Sequence, residues 1–267
     1  MKRSEPASAA STLRFSCYGV RIAVEWDAHI PPLEMRSILP PEFSELEREE
    51  AEHHFLLTAS NGTPGEAGPM YLVGGGSSRA SSPECLGPAV AALRKNIHHC
   101  IAEHSRDRVF IHAGVAGWKG RAIVCPGRSH AGKSTLIWAL VNSGATYYSD
   151  EYAVFDASGH VHPFPVPISL RAPEARGWSV AADRIGTGPA RTNLILFAQY
   201  RENRKWDPVV LTPGQTALRL IQNSLSMRRN PSGVLAVLKT IALTTKVFAG
   251  ERGEADTVID WLKTLDF

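Results

Sequence analysis

Gly127-Arg128-Ser129-His130-Ala131-Gly132-Lys133-Ser134-Thr135 fits G-x-x-x-x-G-K-[ST], the spacing of a phosphate-binding P-loop. Its glycines let backbone N–H groups turn inward around phosphate oxygens, and the helix that follows adds the positive end of its dipole. Lys133 is expected to reach the β- and γ-phosphates of a nucleoside triphosphate, and Ser134 to ligate Mg²⁺. Two acids come next. Asp150 and Glu151 close the strand after the P-loop helix, where one can hold Mg²⁺ and the other can take a proton from an attacking hydroxyl. Adjacent strand residues point to opposite faces, so one of the two aims at the nucleotide. His112 interrupts the apolar run Val109-Phe110-Ile111-His112-Ala113-Gly114-Val115; a lone histidine there serves equally well as a hydrogen-bonded core residue or as a participant in proton transfer.

These groups need elements to hold them. Arg121 to Cys125 reads as a strand and Thr135 to Val141 as a helix ending at Gly144, which is the context a P-loop requires. Val109 to Val115 and Arg121 to Val124 form a hairpin around Gly117-Trp118-Lys119-Gly120. Ala145 to Asp150 is a short strand, followed by a hairpin from Tyr152 to Phe155 and Val161 to Pro165, a strand Ile168 to Arg171, and a buried strand Asn193 to Ala198. Pro173 to Thr192 lacks periodicity and is long for a passive loop, so it is expected to act as a lid or substrate loop. Thr212-Pro213-Gly214-Gln215 has capping-box spacing and opens a helix; further helices span Gly233 to Leu243 and Ala255 to Leu265, with a strand Lys246 to Phe248 between them.

Upstream, residues 1–12 read as a disordered tail. Residues 13–80 read as a small, mostly β accessory domain, with a strand pair turning at Tyr18-Gly19, a short helix from Leu33 to Leu39, and strands at Phe55 to Thr58 and Met70 to Val73. Residues 88–267 read as the nucleotide domain with helices at its C-terminal end. Val90, Leu93, Ile97, Cys100 and Ile101 share one face of a helix expected to pack on that domain.

Composition narrows the function class. The chain has 267 residues, 43% hydrophobic and 21% charged, enough to bury a full core. A net charge of +3 is too weak to make nucleic acid the main partner. No apolar run approaches the roughly 18 residues a membrane span needs, and the N-terminus lacks a signal-peptide core, so a cytoplasmic protein is expected. Cys17, Cys85, Cys100 and Cys125 are scattered without C-x-x-C spacing and read as reduced structural thiols rather than zinc ligands. The absence of N-K-x-D argues against a GTPase; a regulatory or scaffold ATPase and a kinase of small-molecule hydroxyls remain as alternatives to a protein kinase.

Gly127 to Thr135, Asp150-Glu151 and His112 together resemble the catalytic domain of bacterial HPr kinase/phosphorylase. Lys133 precedes Asp150 by seventeen residues and follows His112 by twenty-one, close to that family's spacing over residues 88 to 250. The resemblance implies an α/β fold related to phosphoenolpyruvate carboxykinase, ATP and Mg²⁺ as cofactors, phosphorylation of a serine hydroxyl, a histidine–acid pair as the base, and homo-oligomeric assembly. Asp150-Glu151 stands where the family usually has Asp-Asp, and Thr135 where it has an acid. Arg171 and Glu174, expected at the substrate side, lie in a region without the ordered E-x-R-G of phosphorylase activity, and the family's N-terminal domain is absent. The chain resembles the stand-alone homologues found beside biosynthetic clusters, including those of lasso peptides, so the expected acceptor is a protein or a biosynthetic precursor peptide rather than HPr.

Overall fold

The chain folds as two units, one up to Arg106 and one from Asp107 on. The computed structural model describes residues 11–47, 49–61, 69–75, 78–81, 85–128, 130–168 and 180–265. Residues 1–10 of the expected tail therefore lie outside the described residues, while Ser11 and Thr12, also expected in the tail, belong to the first strand; Arg171, Glu174 and most of the strand expected from Ile168 to Arg171 lie outside as well.

In the first unit, β1 (Ser11–Cys17) and β2 (Val20–Trp26) pair antiparallel about Tyr18-Gly19. Then come α1 (Pro32–Arg36), β3 (Ser44–Glu45), β4 (His53–Asn61), β5 (Pro69–Gly75), β6 (Ser78–Ser81) and α2 (Leu86–His104). The sheet runs β3-β1-β2-β4-β5-β6, with β2 and β4 parallel. Phe15, Ile22, Val24, Phe55, Leu57 and Val73 are buried in it. The apolar face of α2 is the one expected, including Val90, Leu93, Ile97, Cys100 and Ile101. Its partner is not: α2 packs on β4, β5 and β6. A sheet with one apolar face must be covered, and the next helix in the chain covers it. The mostly β stretch expected over residues 13–80 is thus a six-stranded sheet, and the first unit extends past it through α2 to Arg106.

The second unit contains β7 (Val109–Trp118), β8 (Arg121–Pro126), α3 (Lys133–Asn142), β9 (Thr146–Ser149), β10 (Tyr152–Phe155), β11 (His160–His162), β12 (Ala190–Tyr200), β13 (Val209–Val210), α4 (Pro213–Ile221), α5 (Pro231–Thr244), β14 (Lys246–Arg252) and α6 (Ala255–Lys263). Its sheet runs β11-β10-β7-β8-β12-β14-β13, with β9 also on β7. The β7–β8 hairpin is antiparallel, while β8, β12 and β14 are parallel neighbours. Alternation then sorts the two faces. Ala122, Val124, Ile195, Val247 and Ala249 join Leu220 of α4 and Val234, Leu238 and Ile241 of α5. Ile123, Cys125, Leu194 and Leu196 join Leu136, Ile137 and Leu140 of α3 and Val258, Ile259 and Leu262 of α6. The result is a mixed α/β unit with helices on both faces.

Thr212 and Gln215 complete the capping box, each receiving the other's backbone N–H. Of the expected lid, Ala182–Arg184 form one 3₁₀ turn, and Ala190 to Thr192 already belong to β12; the pairing of Ala190 and Arg191 with β11 extends that strand beyond its apolar centre.

One charged turn supports this sheet. Asp156, at the β10–β11 turn, accepts from Ser158 N (2.9 Å), Ser158 Oγ (2.6 Å), His160 N (3.0 Å) and His162 Nε2 (2.9 Å). Partial burial acts to raise its pKa, but these bonds outweigh it and hold the carboxyl at about 2, below the ordinary 3.8. Stabilisation from a depressed carboxyl is full above its unfolded pKa and fades as pH falls through the folded one. Asp156→Ala is expected to cost about 1–2 kcal/mol at pH 6, allowing for solvent screening. The wild-type advantage in urea denaturation should shrink between about pH 4 and about pH 2.

Candidate functional site

β8 ends at Pro126, opposite Ala113 of β7. Where β8 leaves, residues 223–225 take its place beside β7: His112 N donates to Asn223 O (2.8 Å), Leu225 N donates to Phe110 O (3.1 Å), and Ile111 bridges Ser224. Along the other edge of β7, β9 and β10 lie end to end, with Ser149 opposite Val115 and Tyr152 opposite His112. The interruption between them is Asp150-Glu151. Ser149 Oγ accepts from Glu151 N (3.3 Å) and Tyr152 N (3.1 Å), satisfying amides at the break, and Ala113 N donates to Glu151 O (3.1 Å). The acids therefore do not terminate an isolated strand. They sit at a break in a line that continues along β7, which separates β9 from β8. Pro126-Gly127, His112-Ala113 and Asp150-Glu151 lie abreast.

The P-loop bends through positive φ at His130 (70°) and Gly132 (82°) before α3 begins. Gly132 caps α3 without a side-chain hydrogen bond, and the first turn carries no acid, so the positive end of the helix dipole is not offset by a carboxylate of that turn. Arg128, His130 and Thr135 are exposed, Gly127 and Ser134 half-buried, and Ala131 buried; Ser129 lies outside the described residues. Lys133 Nζ donates to Gly127 O (2.8 Å) and Arg128 O (3.0 Å) and lies 3.1 Å from His112 Nε2. These three acceptors are neutral, and each is weaker than a phosphate oxygen.

His112 is oriented by its surroundings. Its Nδ1 lies 3.1 Å from Glu151 O; a carbonyl only accepts, so Nδ1 carries the hydrogen and Nε2 offers its lone pair to Lys133. The ring lies 6.4 Å from that of Tyr152, which packs edge-on with Phe110 and Phe164. On the opposite face of β7 from Ile111 and Ala113, Gly114 sits so close to Ile137 of α3 that a β-carbon would fall 2.4 Å from its Cγ1. That contact brings α3, and Lys133 at its start, against the His112 face. Asp150 is buried, at 7% exposure, while Glu151 is half-buried with Oε1 3.5 Å from Tyr152 OH. Burial, and secondarily the Asp150 charge, pushes the Tyr147 phenol up; burial, then Glu151, does the same to Tyr152. Both phenols stay protonated beside the acids.

Three positioning groups were not anticipated. Ser149 bridges the acid break. Tyr200 N donates to Ala131 O (3.0 Å). Arg252, only 1% exposed, donates from Nη2 to Gly132 O and from Nη1 to Gly253 O, both at 2.7 Å, and stacks over the Tyr200 ring. Its one sequence signal is an arginine ending a short apolar strand. Burial lowers its pKa, yet its ordinary value is so high that it remains a cation. Cys125, on the last turn of β8, is pushed up to about 12 by burial despite the opposing pull of Arg252 and Lys133, so it stays a thiol.

Comparison with models of known families and with curated proteins found no match.

A β-carbon on Gly132 would lie 2.7 Å from Arg252 Nη2 and 2.9 Å from Tyr200 Cβ, at a φ that L-residues rarely adopt. Gly132→Ala is expected to cost about 1–3 kcal/mol in chemical denaturation. Part of that cost comes from the guanidinium, so the double variant with Arg252→Met should be less destabilised than the sum of the two single changes.

Proposed function

We propose that the second unit binds ATP and transfers its γ-phosphate to a hydroxyl, with a serine of a protein or peptide as the acceptor. The observation that carries this is the convergence of Lys133, His112 and the Asp150-Glu151 break beside an uncapped helix N-terminus. The residues fit the nucleotide: the loop amides and the start of α3 offer donors, and Lys133 can exchange two carbonyls and an imidazole for phosphate oxygens. They also fit Mg²⁺, for which Ser134 supplies a hydroxyl and Asp150 and Glu151 supply carboxylates, the hard oxygen donors that ion prefers. Bound Mg²⁺ supplies charge neutralisation at the β- and γ-phosphates.

The acceptor oxygen forms a bond to the γ-phosphorus as the bond to the bridging oxygen breaks, and the bridging electron pair leaves on ADP. Lys133 holds negative charge on the transferring group. Asp150 accepts the hydroxyl proton, and Glu151, on the other side of the break, would help hold the metal. Once Lys133 turns to phosphate, His112 Nε2 is released with its lone pair directed at the same space, and its Nδ1 bond to Glu151 O keeps it aimed. Ser149, by fixing the break, positions both acids. The likeness to HPr kinase/phosphorylase supports the same reaction class, while the Asp150-Glu151 and Thr135 departures favour an acceptor other than HPr. No helix among the described residues is long and apolar enough to cross a membrane.

Lys133→Ala should abolish phosphate transfer and weaken ATP binding with the melting temperature little changed, measured by calorimetry and by ADP release with and without candidate peptides. Asp150→Asn should lower turnover by about 10²–10⁴ with ATP affinity retained, the range for loss of a general base. A change confined to Mg²⁺ dependence would instead assign Asp150 as ligand and pass the base to Glu151. Wild-type transfer by Lys133→Ala, or ADP release that no acceptor stimulates, would overturn the kinase assignment in favour of a regulatory ATPase.

His112→Ala should lower kcat at neutral pH, leave KM for ATP near wild type, and displace the acid limb of the pH–rate profile. A purely structural histidine would give a lower melting temperature with normal specific activity in the folded fraction.

A further inference from the structure

We propose that His53, Cys100 and His104 form a binding site for a divalent transition metal, zinc by class, within the first unit. Cys100 and His104 are four residues apart on α2, so they fall on one helical face a turn apart. His53 opens β4, one of the strands on which α2 packs. One ligand atom from each residue lies within 4.8 Å of the other two, and among the described residues this is the group of histidine, cysteine and acidic side chains so arranged. Cys100 Sγ is 3.8 Å from His104 Nδ1, and the two imidazole rings are 4.3 Å apart.

The donor set selects the metal. One thiolate and two imidazoles suit zinc and its neighbours, whereas magnesium and calcium require oxygen. With metal bonds of about 2.0–2.3 Å in a tetrahedron, ligand atoms stand about 3.3–3.7 Å apart. The Cys100–His104 pair is already near that separation, and closing the third side needs a side-chain adjustment rather than a backbone shift. His104 Nδ1 now lies 2.9 Å from Cys100 O, and it would exchange this bond, internal to the helix, for the ion.

Burial sets the chemistry. Cys100 is 2% exposed, where an unneutralised thiolate is costly; a divalent cation makes the thiolate the favoured form, so binding releases a proton. His53 and His104 are half-buried, leaving the ion a path inward and a fourth position for water. The ion would clip the last turn of α2, where the final carbonyls lack helical partners, to the start of β4. It is a fastening within the first unit and is independent of the phosphate-binding residues.

The test uses the full chain, stripped with a chelator and titrated with Co²⁺. One equivalent should bind with the intense visible bands of tetrahedral cobalt and a sulfur-to-cobalt charge-transfer band, and Zn²⁺ should displace it. Zn²⁺ should also raise the melting temperature of the stripped protein. Cys100→Ser should remove the charge-transfer band, and His53→Gln and His104→Gln should each weaken Zn²⁺ binding by more than about tenfold. Far-UV circular dichroism reports whether each variant is folded; if Cys100→Ser is not, the two histidine variants decide. Lys133→Ala should bind Co²⁺ as the wild type does. Absence of the charge-transfer band in the wild type, or metal affinity unchanged in both histidine variants, would overturn the proposal and leave the three side chains as packing neighbours.

Discussion

Backbone pairing along β7 is the constraint on which the candidate site depends. β7 is one strand with four partners: β8 and β9 flank its second half, β10 and residues 223–225 its first. The exchange of partners happens at His112 to Gly114. β8 leaves there into the glycine loop, and the line of β9 and β10 breaks there at two acids. A strand's hydrogen bonds fix register to a single residue, since a slip of one would turn every side chain to the opposite face. The separations within the site are therefore inherited from ladder geometry rather than from flexible loops. Segment 223–225 closes the gap that β8 leaves, so no amide of β7 at His112 is stranded without a partner.

Much of this was legible because it is local. The strand and helix flanking the glycine loop, the β7–β8 hairpin, the Thr212 capping box and the apolar face of α2 all depend on spacings shorter than a few turns. What could not be read is what those faces meet. The stripe on α2 is the same whether it covers the first sheet or the second, and only chain geometry assigns it to β4, β5 and β6. Asp150-Glu151 looked like the end of the strand after the P-loop helix because the sequence contains no sign that β7 runs antiparallel beside β9 and carries the line on into β10. His112 illustrates the same limit from the other side: an apolar run predicts its burial, but the hydrogen on Nδ1 follows only from Glu151 O across the sheet.

Arg252 is the most distant contributor, 120 residues from the glycine carbonyl it holds. A buried guanidinium is costly unless its donors are used; here Nη1 and Nη2 donate to backbone carbonyls and the plane lies over the Tyr200 ring, while Nε has no hydrogen-bond partner among the described residues. Its hydrogen bonds go to no carboxylate, although the Glu254 charge acts on it, and its positive charge adds to that of Lys133 and to the α3 dipole. Three sources of positive potential with different origins act on one turn of backbone, so a substitution that removes one of them leaves the other two in place.

The cysteines differ in another respect. Cys17 and Cys125 are buried and held near 12, and Cys100 is buried as well, whereas Cys85 stands exposed at the N-cap of α2. Alkylating reagents attack thiolates they can reach. A maleimide fluorophore should accordingly find one fast target in the folded chain, so that the natural sequence already carries a single attachment point for a dye, a spin label or a solid support.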